Sequence, residues 1–157
     1  MPKPATAPID VAQIDSARPQ ATAELMAQTG LDEAILKRLV DGFYDRVRGD
    51  AMLGPIFEER IKNWPEHLET MVKFWSSVAL MTGRYHGAPM PKHLPLPVDI
   101  EHFQRWITLF RLTAREVCPP AGAAWVIERA ERIATSMHMG IEGARTRNAR
   151  TDTPPQL

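Results

Sequence analysis

Apolar residues in this chain recur at three- and four-residue intervals in four separate blocks, and no stretch alternates apolar with polar as a half-buried strand would. The pattern predicts an all-α fold. Leu36, Leu39, Val40, Phe43, Tyr44 and Val47 place one stripe on a helix over 31–48, with Gly49 as its stop. A weaker segment, 21–28, predicts a short helix before it. The second block opens at Asn63, a cap, with Pro65 in the first turn and Glu66 placed to return a hydrogen bond to the cap backbone. Along it His67, Met71, Trp75 and Val78 share a face, with Phe74 beside them, until Thr82 and Gly83. A third helix starts from Asp99 and turns Phe103, Trp106, Ile107, Phe110 and Ala114 inward. After Pro119-Pro120 a fourth carries Val126, Ile127, Ala130, Ile133, Ala134, Met137 and Ile141, fraying at Gly140 and Gly143.

Two stretches between the blocks break the periodicity. From Gly49 through Pro55 the chain turns, leaving Phe57 in a corner where it must pack on something distant. From Gly87 to Pro97, four prolines surround His93 and Leu94 and permit at most one helical turn. Residues 1–23 and 145–157 show little apolar periodicity and read as a disordered extension and tail around one domain over 24–144.

Composition narrows the function. The 157 residues hold one core, and 19 basic against 19 acidic residues give no polyanion-binding character, so nucleic acid is excluded as a partner. Cys118 has no second cysteine to pair with, no segment has the length of a membrane span, and the opening residues lack a secretory apolar core; a cytoplasmic protein is expected. No HExxH pair, cysteine-rich zinc set, phosphate loop or GxSxG elbow is present.

What remains is His67 on an apolar helix face and His93 in a proline-held turn. The separation lets a helix run out and the chain return on the other side of a flat ligand such as haem. Phe57, Met71, Trp75, Phe103 and Met137, with Leu94 and Ile133, are candidate walls, Tyr44 and Trp106 candidate donors to a polarised ligand, and Lys92 a candidate propionate contact. Taken singly, each has a plainer reading: His67 as a structural histidine, His93 as a loop residue, the rest as core or solvated charge.

Read in order, four segments resemble the group III truncated haemoglobins: FYDRVRGDAMLGPIF (Phe43 to Phe57), WPEHLETMVKFW (Trp64 to Trp75), PMPKHLPLP (Pro89 to Pro97) and HFQRWITLF (His102 to Phe110). The absence of any Gly-Gly pair also suits that group. The resemblance implies a two-over-two helical sandwich around haem b, with a short or loop-like proximal segment. It implies His93 as the iron ligand and Tyr44, His67 and Trp106 as the distal side, with Met71 and Trp75 on the distal helix. Dioxygen, nitric oxide and carbon monoxide become the expected ligands. Two donors would each slow ligand release by about tenfold, which favours redox chemistry such as nitric oxide dioxygenation over bulk transport. With no flavin or nicotinamide motif, such turnover needs a separate reductase. A haem-based sensor and a peroxidase-like activity are the alternatives.

Overall fold

A computed structural model of the chain describes residues 18–151, which form seven helices and no strand. These are α1 (Pro19–Thr29), α2 (Glu33–Gly49), α3 (Gly54–Arg60), α4 (Trp64–Leu80), α5 (Pro89–His93), α6 (Ile100–Val117) and α7 (Pro120–Thr151). No helix among the described residues is long and apolar enough to cross a membrane. Helices α2 and α4 pack as one pair and α6 and α7 as the other. Contacts of α2 with α6 and of α4 with α7 close the two pairs into the two-over-two sandwich.

Local chemistry sets most helix starts. Asp32 accepts the Ile35 amide at 2.8 Å and Asn63 accepts the Glu66 amide at 3.2 Å, each satisfying a donor of the first turn. Glu66 does return a bond, but to the Asn63 side-chain amide at 3.1 Å. The expected α2 stripe is buried throughout, and its Phe43, with Phe110 of α6, is among the largest fully enclosed side chains of the described core. Truncating either to alanine would cost about 3–5 kcal/mol through lost burial and the cavity left behind.

Four features depart from the sequence reading, two through local bonds around a turn and two through tertiary contacts. The corner holding Phe57 is helical: Asp50 accepts the Met52 and Leu53 amides at 3.1 and 3.0 Å, and its carbonyl accepts the Gly54 amide at 2.8 Å, which starts α3. Helix α4 ends at Leu80, before Thr82, because Met81 turns left-handed (φ 56°) while the Thr82 hydroxyl bonds Ser76 at 2.7 Å. Helix α1 begins at Pro19, inside the segment expected to lack structure. Thr22 is buried there and donates to the Leu80 carbonyl at 2.7 Å, and Trp125 Nε1 donates to the Ala79 carbonyl at 2.9 Å, so two acceptors at the end of α4 are satisfied from α1 and α7. Helix α7 runs through Gly140 and Gly143 to Thr151, past the expected start of the tail at 145. Arg145 ties it to the start of α6 through Asp99 Oδ1 and the Val98 carbonyl, both at 2.8 Å. The rest of the expected extension and tail, residues 1–17 and 152–157, lies outside the described residues.

Gly140 has a different task from the fraying expected of it. A Cβ there would meet Met90 Sδ at 2.6 Å, so the glycine lets the α5 turn seat directly on α7.

Candidate functional site

Between the two helix pairs lies an apolar cleft open to solvent at its mouth. Phe43 and Tyr44 of α2, Met71, Phe74 and Trp75 of α4, and Phe103 and Trp106 of α6 form most of its aromatic wall. Phe57 of α3, and Ile133 and Met137 of α7, complete it. The wall is stiff: Phe110 stacks between Trp75 (4.9 Å) and Trp106 (5.6 Å), and Phe43 meets Phe110 and Trp106 edge-on at 5.4 and 5.3 Å.

His93 enters the cleft as the last residue of α5. Its Nδ1 lies 2.5 Å from the Pro89 carbonyl, an acceptor, so Nδ1 carries the proton and donates it. Nε2 is left with its lone pair. A ring whose tautomer and orientation are fixed by a backbone carbonyl is the arrangement a metal-ligating imidazole requires. Pro89, by ending the chain's freedom one turn earlier, holds that carbonyl in place.

The same lining carries a polar pair without hydrogen-bond partners among the described residues. Tyr44 is buried, and burial pushes its phenol far above the ordinary range, so it remains a donor at any physiological pH. Neither its hydroxyl nor the Trp106 indole N–H is bonded to another described residue, although both residues line the cleft. His67 packs edge-on against Tyr44 at 5.1 Å. Its Nε2 is the one fully buried side-chain nitrogen or oxygen among the described residues that lacks a hydrogen-bond partner. Burial, and secondarily the charge of His93, hold this imidazole below its ordinary pKa.

Of the residues singled out from sequence, Tyr44, Phe57, Met71, Trp75, His93, Phe103, Trp106, Ile133 and Met137 line the cleft. His67 lies just behind Tyr44. Lys92 is exposed, and Leu94 points toward Gly140 on α7, because neighbours on a helical turn are splayed about 100° apart and cannot share His93's direction. Leu53, Ile56, Leu96, Val98, Ala134 and His102 also line the cleft, and sequence reasoning singled out none of them as site residues. His102 lines the cleft while its Nδ1 accepts the Asp99 amide at 3.0 Å, completing a capping box whose spacing, Asp99 to His102, was visible in the sequence.

The cleft fits haem on its own chemistry: a lining imidazole fixed through Nδ1, apolar and aromatic walls, unspent donors, and an orphaned imidazole nitrogen packed behind Tyr44.

No protein-family model matches the chain. It is 34% identical over 110 residues to the group 3 truncated haemoglobin of Campylobacter jejuni, covering 67% of this chain and 87% of that protein. It is 28% identical over 83 residues to a group 2 truncated haemoglobin of Bacillus subtilis, 52% of this chain and 63% of the relative. The crystal structure of a group III truncated haemoglobin from Campylobacter jejuni superposes with a TM-score of 0.67 at 32% identity, covering 71% of this chain and 91% of that one.

Proposed function

The chain belongs to the group III truncated haemoglobins, and from that premise we propose that its cleft holds haem b with His93 as axial ligand, binds dioxygen, nitric oxide and carbon monoxide, and turns over nitric oxide rather than carrying oxygen in bulk. The observation that carries the reading is the pair of imidazoles: His93 with Nδ1 committed to Pro89 and Nε2 free, and His67 with a buried Nε2 that no described residue satisfies. An unpaired buried nitrogen costs about 1–3 kcal/mol, and a ligand or water on the distal side is what would recover it.

His93 would hold the haem iron, and the group would supply small-ligand binding and one-electron exchange. The chain's own residues do the rest. Tyr44 and Trp106 line the cleft, and in this reading their hydroxyl and N–H donate hydrogen bonds to a ligand that has gained negative charge, each slowing its release by about tenfold or more. The Phe43, Trp75, Trp106 and Phe110 cluster excludes water, which strengthens those bonds. Slow release makes a poor carrier and a good platform for oxidation. The net reaction, nitric oxide plus dioxygen plus one electron to nitrate, balances only with an outside electron, so a separate reductase is part of the proposal. The unpaired Cys118 suits a reducing, cytoplasmic setting.

The test is to mix the reduced, haem-loaded protein, equilibrated with dioxygen, with nitric oxide. One nitrate per haem, formed with conversion to the ferric spectrum far faster than dioxygen dissociates, is expected. Release of dioxygen followed by simple nitric oxide binding would overturn the reading.

A further inference from the structure

Tyr44 and His67 present an unusual problem of positioning. No hydrogen bond to a described residue anchors the Tyr44 hydroxyl, and none anchors His67 Nε2, so the orientation of both rings rests on packing alone. Phe43 and Phe57 meet Tyr44 edge-on at 5.2 and 6.0 Å, and the ring that touches both Tyr44 and His67 is Trp64, three residues before His67 in the first turn of α4 and therefore on the same helix face. Its indole meets Tyr44 edge-on at 5.8 Å and His67 edge-on at 5.9 Å, and with the 5.1 Å contact between those two the rings close a triangle.

Trp64 is itself held, from the solvent side. The Arg48 guanidinium lies 4.3 Å from its ring centroid. Glu58 uses both carboxylate oxygens: Oε2 accepts the Trp64 Nε1–H at 3.3 Å, and Oε1 accepts Arg48 Nε at 2.7 Å. One residue comes from the last turn of α2, one from α3 and one from the start of α4. The cation fixes the indole's face, the carboxylate fixes its edge, and the ion pair locks the two together.

We propose that Trp64 is the positioning residue for Tyr44 and His67, and that Arg48 and Glu58 form a clasp that holds it. The clasp bears on ligand entry only if the cleft holds haem, so that consequence rests on the reading above; the positioning itself does not. Loosening the clasp frees the indole, then the two rings, and opens the distal side to entering ligand. Because the ion pair is exposed, salt weakens it, so even an uncharged ligand should enter at a salt-dependent rate.

The experiment measures carbon monoxide association and the C–O stretching band in the reduced, haem-loaded full chain, for wild type, Glu58→Ala, Arg48→Met, Trp64→Phe, and Glu58→Ala combined with Trp64→Phe. Glu58→Ala and Arg48→Met should each raise the association rate about two- to fivefold, the scale of one exposed cation–π contact, and broaden the C–O band. In the Trp64→Phe background, Glu58→Ala should add nothing. The wild-type rate should rise between low salt and about 0.5 M salt, and that of Glu58→Ala should not. Wild-type rates and band shape in Glu58→Ala, or an equal Glu58→Ala effect with and without the indole, would overturn the proposal. If the wild type shows no haem spectrum at all, the haem reading falls. The clasp is then read in the haem-free chain from solvent exchange of the Trp64 indole proton, which must be faster in Glu58→Ala for the proposal to stand.

Discussion

Replacing His67 by leucine should make the haem-free protein more stable, which is the opposite of what removing a partly buried side chain from a packed region usually does. The imidazole Nε2 is fully buried without a hydrogen-bond partner among the described residues, a cost of about 1–3 kcal/mol that leucine removes. Against this, leucine gives up two edge-on ring contacts, to Tyr44 and Trp64, each worth about 0.5 kcal/mol, the low end for ring pairs because imidazole is the smaller ring. The balance is a gain of about 1 kcal/mol at pH 7, seen as a rise of roughly 0.5 M in the urea midpoint at unchanged slope. The pH dependence sharpens the test. Burial, then the charge of His93, depress the folded pKa of His67, so the folded state binds fewer protons there than the unfolded chain does. The wild type therefore loses stability as pH falls below the ordinary imidazole range near 6.5, and His67→Leu is spared that loss. The gap between the two should widen from pH 7.5 to about 5.5. A variant less stable than wild type at pH 7, or a gap indifferent to pH, would refute the reasoning.

Tyr44→Phe keeps the ring between Phe57, Trp64 and His67 but removes the donor, so dioxygen should dissociate about tenfold faster or more while the less polarised carbon monoxide changes little; stopped-flow displacement reads both. Burial works to raise the Asp50 pKa, but the Leu53 amide, the Arg105 guanidinium and the Met52 amide overcome it and hold the group below the usual range. Its contribution is thus present above the unfolded carboxylate value and lost as pH falls through the lower folded one. Asp50→Asn should narrow the stability lost between pH 5 and 3, measured by thermal melts against wild type. Burial, opposed by Arg38, pushes the Cys118 thiol up to about 11, so a thiol reagent at pH 7.5 should label the folded protein only at the rate of global opening. Rapid labelling under native conditions would contradict that burial.

Features carried by local chemistry were legible in the sequence. The α2 stripe, the Asn63–Glu66 start of α4 and the single turn holding His93 each follow from residues within one or two turns of each other. Much of what escaped depends on partners far along the chain, although the start of α3, held by Asp50 bonds two to four residues away, was local and escaped as well. Thr22 looks like a polar residue in a weak helix until the Leu80 carbonyl, 58 residues away, is brought to it. Gly140 looks like a stop until Met90 occupies the space it leaves, and Arg145 looks like tail until Asp99 and Val98 reach it. The same division runs through the site. Tyr44, Met71, Trp75 and Trp106 sit on periodic stripes that point into the cleft, whereas Leu96 and Val98 lie in a proline-rich loop with no period to expose them. The clasp of Arg48, Glu58 and Trp64 joins three helices, and no spacing rule connects its members.

The central claim is that this chain holds haem through His93. It is tested most directly by absorption spectra of the haem-reconstituted protein in ferric, ferrous and carbon monoxide forms, beside His93→Gly with and without added imidazole. The account predicts a sharp Soret band that moves with each state, is lost or displaced in the variant and returns with imidazole. A protein that stays colourless, or a variant whose spectra match the wild type without imidazole, would contradict it.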